Sequence, residues 1–126
     1  MCAKDDKAVG LVVPVVNTAA MQLYLDQIIA ETSQGRHAVL VLDRAAWHTT
    51  KKLNTHGKIT LIHLPPASPE LNPTEQVGRQ LREDSLANRS FADYEDITIC
   101  ACHAWNQFVE RPGAIRKLCS RTWVNL

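Results

Sequence analysis

The apolar positions in the first third of the chain follow two different spacings. Residues 8–16 (AVGLVVPVV) are apolar and β-branched, which predicts a strand, and Pro14 favours an edge position or a bulge. Apolar residues then recur at helical spacing over residues 21–29, after Asn17 or Thr18 as the N-cap. The pattern therefore predicts a strand followed by a helix.

The next segments predict two strands joined by a short helix. Residues 38–42 (AVLVL) are continuously apolar, which is typical of a strand buried on both faces of a parallel sheet. Residues 45–54 predict a short helix that ends by Gly57, and residues 59–64 (ITLIHL) predict the second strand. Such a unit has a right-handed crossover, so we expect the two strands to be parallel neighbours.

A proline-rich turn introduces the helices of the second half. Asn72 predicts an N-cap, with Pro73 as the first helical residue and Glu75 as the third, for a helix that extends to about Leu86. Proline is favourable at the first helical position because the N–H that it lacks would have no partner there. The sequence therefore predicts that the proline-rich turn leads directly into the helix.

The remaining residues also predict helices. Ser90 is expected to cap a longer helix, which residues 111–113 (RPG) end, and residues 114–123 predict a last short helix. The apolar stripe of the longer helix comprises Phe91, Tyr94, Ile97, Ala101, Ala104, Trp105 and Phe108. The predicted fold class is mixed α/β, with helices concentrated in the C-terminal half.

Composition limits the classes of protein that fit this pattern. A length of 126 residues with 45% hydrophobic content predicts one domain with its own core. No apolar run approaches the roughly 20 residues of a membrane span, and residues 1–7 carry charges of both signs, so we expect a cytoplasmic protein. The four cysteines form no C-x-x-C pair, which favours buried thiols over a zinc site.

The net charge of +1 means that nucleic-acid binding would depend on local basic patches. Two segments, residues 44–58 and 111–121, contain basic side chains and no acidic ones. In the first, Arg44, Lys51 and Lys52 are the candidates for contacts with DNA phosphates. A solvated surface explains both segments equally well.

Two carboxylates, Asp43 and Glu75, occupy positions that suit metal-assisted phosphoryl transfer. Asp43 follows a predicted parallel strand, and Glu75 lies in the helix entered after the neighbouring strand, with 31 residues between them. The C-terminal ends of parallel strands meet at one sheet edge, so both side chains can approach a common point. Mg²⁺ binds through one or two carboxylates, and paired ions activate the attacking oxygen and stabilise the leaving one.

Local explanations for the same residues stay open at this point. Asp43 can cap the short helix after it, and an acidic residue such as Glu75 is favourable in any first helical turn. Glu70 is a rival acid in the intervening turn, and His48 can be a polar helix residue.

Residues 39–48 (VLVLDRAAWH) and 64–75 (LPPASPELNPTE) carry a resemblance to a known family. They resemble the C-terminal half of DDE transposases of bacterial insertion sequences related to the mariner superfamily. That family has a strand ending in Asp, a nearby His, and an L-P-P-x-S-P-x-L-N-P-x-E run. The resemblance continues to Asn106 and covers almost the whole chain.

The resemblance implies an RNase H-like fold, a Mg²⁺ or Mn²⁺ cofactor, and the cutting and rejoining of DNA at transposon ends and targets. Asp43 resembles the second catalytic Asp and Glu75 the catalytic Glu, both of them metal ligands. His48 resembles the family histidine near that Asp, and Asn72, in the motif, is expected to support the site. These roles predict DNA transposition, recombination and integration.

Two departures from the family pattern shape the expectations. Gly78 stands where the family usually has a tryptophan. The family's first catalytic Asp lies on a strand that this chain is expected to lack, and Asp5 and Asp6 are poor substitutes. We therefore expect residues 1–126 to form an incomplete RNase H-like domain without its first two strands, with either a rearranged sheet or an intertwined homo-oligomer.

Three functions follow from this sequence. The first is a transposase catalytic-domain fragment, whose independent activity is doubtful without the first Asp. The second is a non-catalytic interaction fragment that pairs with full-length transposase and inhibits it. The third is a degenerate relic. The first requires Asp43 and Glu75, whereas inhibition should survive Asp43→Asn.

Overall fold

The structure, a computed structural model, describes residues 1–120 and divides the chain into two compact units. The central unit is Val13–Asn72, and the terminal unit combines Met1–Val12 with the chain from Pro73 onward. The central unit contains α1 (Thr18–Glu31), β1 (Ala38–Leu42), α2 (Ala46–Thr49), β2 (Ile59–His63) and a 3₁₀ turn (Pro69–Leu71). The terminal unit contains α3 (Thr74–Leu81), a π-helical turn (Arg82–Leu86), α4 (Tyr94–Glu110) and α5 (Ala114–Cys119).

Strands β1 and β2 form a parallel two-stranded sheet, with Ala38 opposite Ile59 and Leu42 opposite His63. The predicted strands, their order and their parallel pairing are thus confirmed. One face of the sheet packs on α1, where Leu42 and Ile59 are buried with two helix residues. The mixed α/β class of the prediction is confirmed as well.

The expectation that β1 is buried on both faces is wrong. Val39 is 60% exposed, and Ile62 on the neighbouring strand is 48% exposed on the same side of the sheet. A continuous apolar run indicates a buried strand only where something covers each face. Among residues 1–120, α1 covers one face and leaves the other accessible.

Residues 8–16 do not form the predicted strand. A strand exists only through hydrogen bonds to a neighbour, and no described residue pairs with residues 11–16. Pro14, which has no N–H, further weakens any pairing. This segment bends at Pro14 and Val15 and keeps its apolar side chains accessible, and Val15 and Val16 are both exposed.

Three helices have a cap residue that was predicted from the sequence, and the structure agrees with one of these predictions and differs from two. Asn17 Oδ1 accepts a hydrogen bond from Ala20 N at 2.9 Å, which confirms Asn17 as the cap of α1. Pro73 occupies the cap position of α3, whereas Asn72 closes the preceding 3₁₀ turn through its N–H. Glu75 is consequently the second helical residue rather than the third, and the predicted Asn72 cap is wrong by one position.

The long helix starts later than expected. Asp93, and not Ser90, caps α4, with its Oδ1 accepting from Asp96 N at 2.8 Å. Only the C-terminal part of the predicted apolar stripe is buried, at Ala104 and Phe108, while Tyr94 is exposed. Periodicity places those side chains on one helical face, but the neighbouring elements decide how much of that face they cover.

The core of the terminal unit combines residues distant in sequence. Ala3, Val77, Phe108, Ile115 and Cys119 are buried together. Cys119 alone of the four cysteines is buried, whereas Cys2 and Cys102 are exposed, so the expectation of buried thiols is wrong for those two. The last helix, α5, ends at Cys119 with Ser120 as its C-cap, and residues 121–123 of the predicted helix lie outside the described residues.

Asp6 supplies the N-terminal hydrogen bonds of α5 from the other end of the chain. Its carboxylate accepts from Gly113 N at 2.6 Å and from Arg116 N at 3.0 Å. The side chain therefore acts as a helix cap, although Gly113 and not Asp6 occupies the cap position. Asp6 therefore has a structural role at the start of α5. The sequence had already indicated that Asp6 is a poor substitute for a catalytic aspartate.

Asp6→Ala is expected to lower the urea midpoint at neutral pH, because α5 loses both hydrogen bonds. The bonds from Arg116 N and then Gly113 N hold the pKa of Asp6 below its ordinary value of 3.8. A carboxyl group with a lowered folded-state pKa stabilises the protein above the ordinary pKa and loses that effect as the pH falls through the folded value. Urea unfolding across the acid range should therefore show the gap between wild type and variant closing below pH 3.8. A gap that stays constant into acid would contradict this role.

Within residues 1–120, no helix has the length and apolar character needed to cross a membrane.

Candidate active site

Asp43 begins the loop that leaves β1 at the C-terminal edge of the sheet, the place that the sequence predicted. Its Oδ1 accepts a hydrogen bond from Ala45 N at 3.1 Å and lies 2.6 Å from His48 Nδ1. The side chain is 59% exposed. Among the described residues, none donates a hydrogen bond to Oδ2. One oxygen is thus fixed by the fold, and the other is accessible to a ligand.

The surroundings of Asp43 favour its ionised form. The hydrogen bond from Ala45 N is the largest cause that lowers the pKa of this carboxyl, and the bond and charge of His48 add to it. Partial burial opposes them without reversing the direction. Asp43 is therefore a carboxylate at neutral pH, which is the form that binds a metal ion.

His48 lies behind Asp43, as the sequence suggested, and its tautomer follows from its partner. An ionised carboxylate only accepts hydrogen bonds, so His48 Nδ1 must carry the proton that it shares with Asp43 Oδ1. In a neutral imidazole the lone pair is then on Nε2. Trp47 stacks edge-on against the ring, with the centroids 6.0 Å apart, and helps to fix its orientation.

His63, at the end of β2, is a supporting residue that sequence reasoning missed. Its Nε2 lies 2.9 Å from the backbone oxygen of His48, so it donates to that carbonyl and ties α2 to the sheet. The sequence prediction treated His63 as structural because it lies within a strand. Its position at the strand end, on the same edge as Asp43, was the signal for a role near the site.

Arg44 connects the two strand exits. Its Nε donates to the backbone oxygen of Leu64 at 3.0 Å, and Leu64 N donates to Leu42 O at 2.8 Å. Part of the guanidinium is therefore engaged in holding the edge together. The other two basic candidates, Lys51 and Lys52, are exposed in the turn after α2.

Glu75 lies in the first turn of α3 and is exposed. No hydrogen bond or ion pair within the described part of the chain engages its carboxylate. Asp43 belongs to the central unit and Glu75 to the terminal unit, so the convergence of these two carboxylates stays a prediction. Asn72, the other supporting candidate, is half-buried at the end of the 3₁₀ turn.

Residues 1–120 contain no group of three or more histidine, cysteine or acidic side chains placed to hold a metal ion together. The individual donors nevertheless suit a hard divalent cation. Asp43 and Glu75 are both accessible carboxylates, and each has at least one oxygen free of described partners. Magnesium requires no more than one or two such protein ligands, because water and phosphate oxygens complete its shell.

Comparison with known proteins assigns the family. Residues 1–98 match the model of the DDE superfamily endonucleases. The chain is 46% identical over 125 residues to the uncharacterized protein y4pE/y4sA of Sinorhizobium fredii (strain NBRC 101917 / NGR234), an alignment that covers 99% of this chain and 93% of that protein. No solved structure matches the chain.

The chain therefore belongs to the DDE superfamily endonucleases. This confirms the broader part of the resemblance found in the sequence, a transposase-like nuclease family. Membership implies an RNase H-like fold and a DNA substrate, and enzymes of this superfamily generally use divalent metal ions.

Proposed function

We propose that this chain contributes Asp43 and Glu75 to a metal-dependent site that cleaves and rejoins DNA during transposition of a bacterial insertion sequence. The observation that carries the proposal is the state of Asp43 at the C-terminal edge of β1. The carboxylate is held ionised by Ala45 N and His48, and its second oxygen faces no described partner. The accessible second oxygen lets Asp43 serve as a metal ligand while the first oxygen keeps its local hydrogen bonds.

In this proposal, Asp43 and Glu75 hold Mg²⁺ or Mn²⁺, which supplies charge stabilisation for the attacking and leaving oxygens when bound. His48 orients Asp43 through Nδ1, and His63 fixes the backbone of His48 in turn. Asn72 closes, through its N–H, the turn that precedes the helix of Glu75. Of the two proposed ligands, Asp43 is the one whose carboxylate is oriented by a neighbouring side chain.

DNA is expected to contact the basic residues near the sheet edge. Lys51 and Lys52 are exposed, and Arg44 keeps its terminal nitrogens beyond the Nε that binds Leu64 O. Such side chains bind phosphates without reading sequence, so they position a duplex and make its binding dependent on salt.

The test is cleavage of supercoiled plasmid and of labelled duplex DNA by the purified chain with Mn²⁺ or Mg²⁺. If the chain forms an active site by itself, metal-dependent products with 3′-hydroxyl ends should appear for wild type and for the control Glu70→Gln, whose carboxylate lies in the turn before α3. Asp43→Asn and Glu75→Gln should each abolish them, because each substitution removes a charged metal ligand. Cleavage that both variants retain would overturn the assignment of Asp43 and Glu75, and absence of cleavage by wild type would show that these two carboxylates do not form an active site by themselves.

The second candidate, an interaction fragment that inhibits a full-length transposase, is favoured by the two-stranded sheet. A sheet of two strands has two open edges, and an open edge is a template for pairing with another chain. Adding the chain to a transposase of the same family distinguishes the candidates. Inhibition that Asp43→Asn leaves intact supports the interaction function.

A further inference from the structure

The outer edge of β1 is open. The parallel register and the bond from Ala38 N to Lys58 O at 2.9 Å direct alternate backbone groups of β1 toward β2. The N–H and C=O groups of Val39 and Val41 then point to the other side. No described residue forms a hydrogen bond with these groups.

This edge also lacks the features that normally prevent association. Protein edge strands usually carry charged side chains, prolines or bulges, or lie beneath a loop or a helix. Strand β1 is entirely apolar (AVLVL) and regular, and Val39 is exposed beside the edge. Strand β2, in contrast, contains Thr60 and His63 and leads into Pro65, so β1 offers the better edge for pairing.

Residues 11–16 (LVVPVV) have the complementary properties. They lie outside the helices and strands, with a bend at Pro14 and Val15, they are rich in β-branched residues, and no described residue forms a backbone hydrogen bond with them. Their exposed large apolar side chains are Leu11, Val12, Val15 and Val16. A cluster of this kind is unusual on a monomer surface and is typical of a surface that binds another chain.

We propose that residues 11–16 of one copy add as a strand to the β1 edge of a second copy, and that the exchange is reciprocal. Val13–Val16 and β1 belong to the same central unit and are not paired within it, so the edge is free for another molecule. A reciprocal exchange gives a closed two-fold dimer in which the β1 edge of each copy is filled. The sheet of each copy grows to three strands, the smallest number that is generally stable.

Pro14 determines the phase of the added strand, that is, which of its backbone groups face the β1 edge. Proline has no N–H, so it is accepted in a strand only where its nitrogen faces away from the partner. Backbone groups alternate in direction along a strand, so the groups of Val13 and Val15 face the β1 edge and those of Val12 and Val16 face outward. This phase distinguishes two neighbouring valines that are equally exposed, Val15 at 60% and Val16 at 58%.

The experiment is sedimentation equilibrium across the micromolar range for wild type, Val15→Pro and Val16→Pro. Wild type and Val16→Pro should dimerise with similar affinity, because position 16 donates nothing to the edge. Val15→Pro should raise the dimer dissociation constant by about tenfold or more, because two symmetry-related hydrogen bonds are lost. Neither substitution removes a described hydrogen bond, and equal urea midpoints measured at dilute, monomeric concentrations would show that both variants fold.

Hydrogen exchange of the backbone amides of Val39 and Val41 measures the pairing of the β1 edge independently. Their protection should rise with protein concentration in wild type and should be lost in Val15→Pro. Protection in a monomer at every concentration would mean that the segment pairs with its own sheet, which overturns exchange between copies. A chain that stays monomeric, or a dimer that both prolines weaken equally, would also overturn it.

Discussion

Leu25→Ala is expected to lower the free energy of unfolding by about 3 to 4 kcal/mol, the middle of the range for a fully buried leucine. Leu25 is 0% exposed in α1 and packs with Met21, Leu42 and Ile59. With Leu64, these four residues are the buried hydrophobic residues described for the central unit, so little other core is available to close the cavity. For a domain of ordinary stability, the loss is a large part of the total.

The matched control is Leu23→Ala in the same helix. Leu23 is 58% exposed, so the same chemical change should cost about 0.5 kcal/mol or less. Trp47 packs against the Leu25 cluster, so fluorescence during urea unfolding reports on the central unit when Trp105 and Trp123 are replaced by phenylalanine in all variants. Equal losses for the two variants would show that α1 does not bury Leu25 in solution.

The elements that the sequence predicted correctly depend mainly on local interactions. Asn17 caps α1 through a bond to a residue three positions away, and spacing along the chain is enough to predict it. The crossover between β1 and β2 constrains the strands to be parallel neighbours, so two short apolar runs were sufficient. The strand at residues 8–16 failed because strand formation requires a partner, which local sequence does not reveal.

Competition between similar residues explains the error at α4. Ser90 and Asp93 are both good cap residues three positions apart, and each would start the same helical pattern. Asp93 is the one whose side chain accepts from the N–H three residues later. The sequence contains both signals, and only the path of the preceding chain selects between them.

The contacts of the candidate site likewise differ in how far the sequence alone could predict them. The contact between Asp43 and His48 crosses one tight loop, so a spacing of five residues made it a reasonable expectation. The support of His48 by His63 depends on the register of two strands, and no sequence pattern encodes that register directly. Asp43 and Glu75 belong to different units, and their convergence rests on the strand topology predicted from the sequence and on the family resemblance.

That convergence leads to the second large effect, on metal binding. The wild-type chain is expected to bind Mn²⁺ saturably. The titration can be followed by calorimetry or by the electron paramagnetic resonance signal of free Mn²⁺. Asp43→Asn and Glu75→Gln should each abolish binding, because a neutral amide replaces an ionised ligand in a site that has only two. His48→Ala should leave binding detectable but weaker by about tenfold or more, since it removes the group that orients Asp43.

Glu70→Gln is the control for nonspecific association of Mn²⁺ with surface carboxylates, because Glu70 is an exposed acid only five residues from Glu75. It should bind Mn²⁺ as wild type does. Loss in Asp43→Asn but not in Glu75→Gln would mean that Asp43 binds the ion without the terminal unit, and that the two carboxylates do not converge. Binding indifferent to all of these changes would leave the chain with the family's sequence but without its metal site, and the open sheet edge would then be its main functional feature.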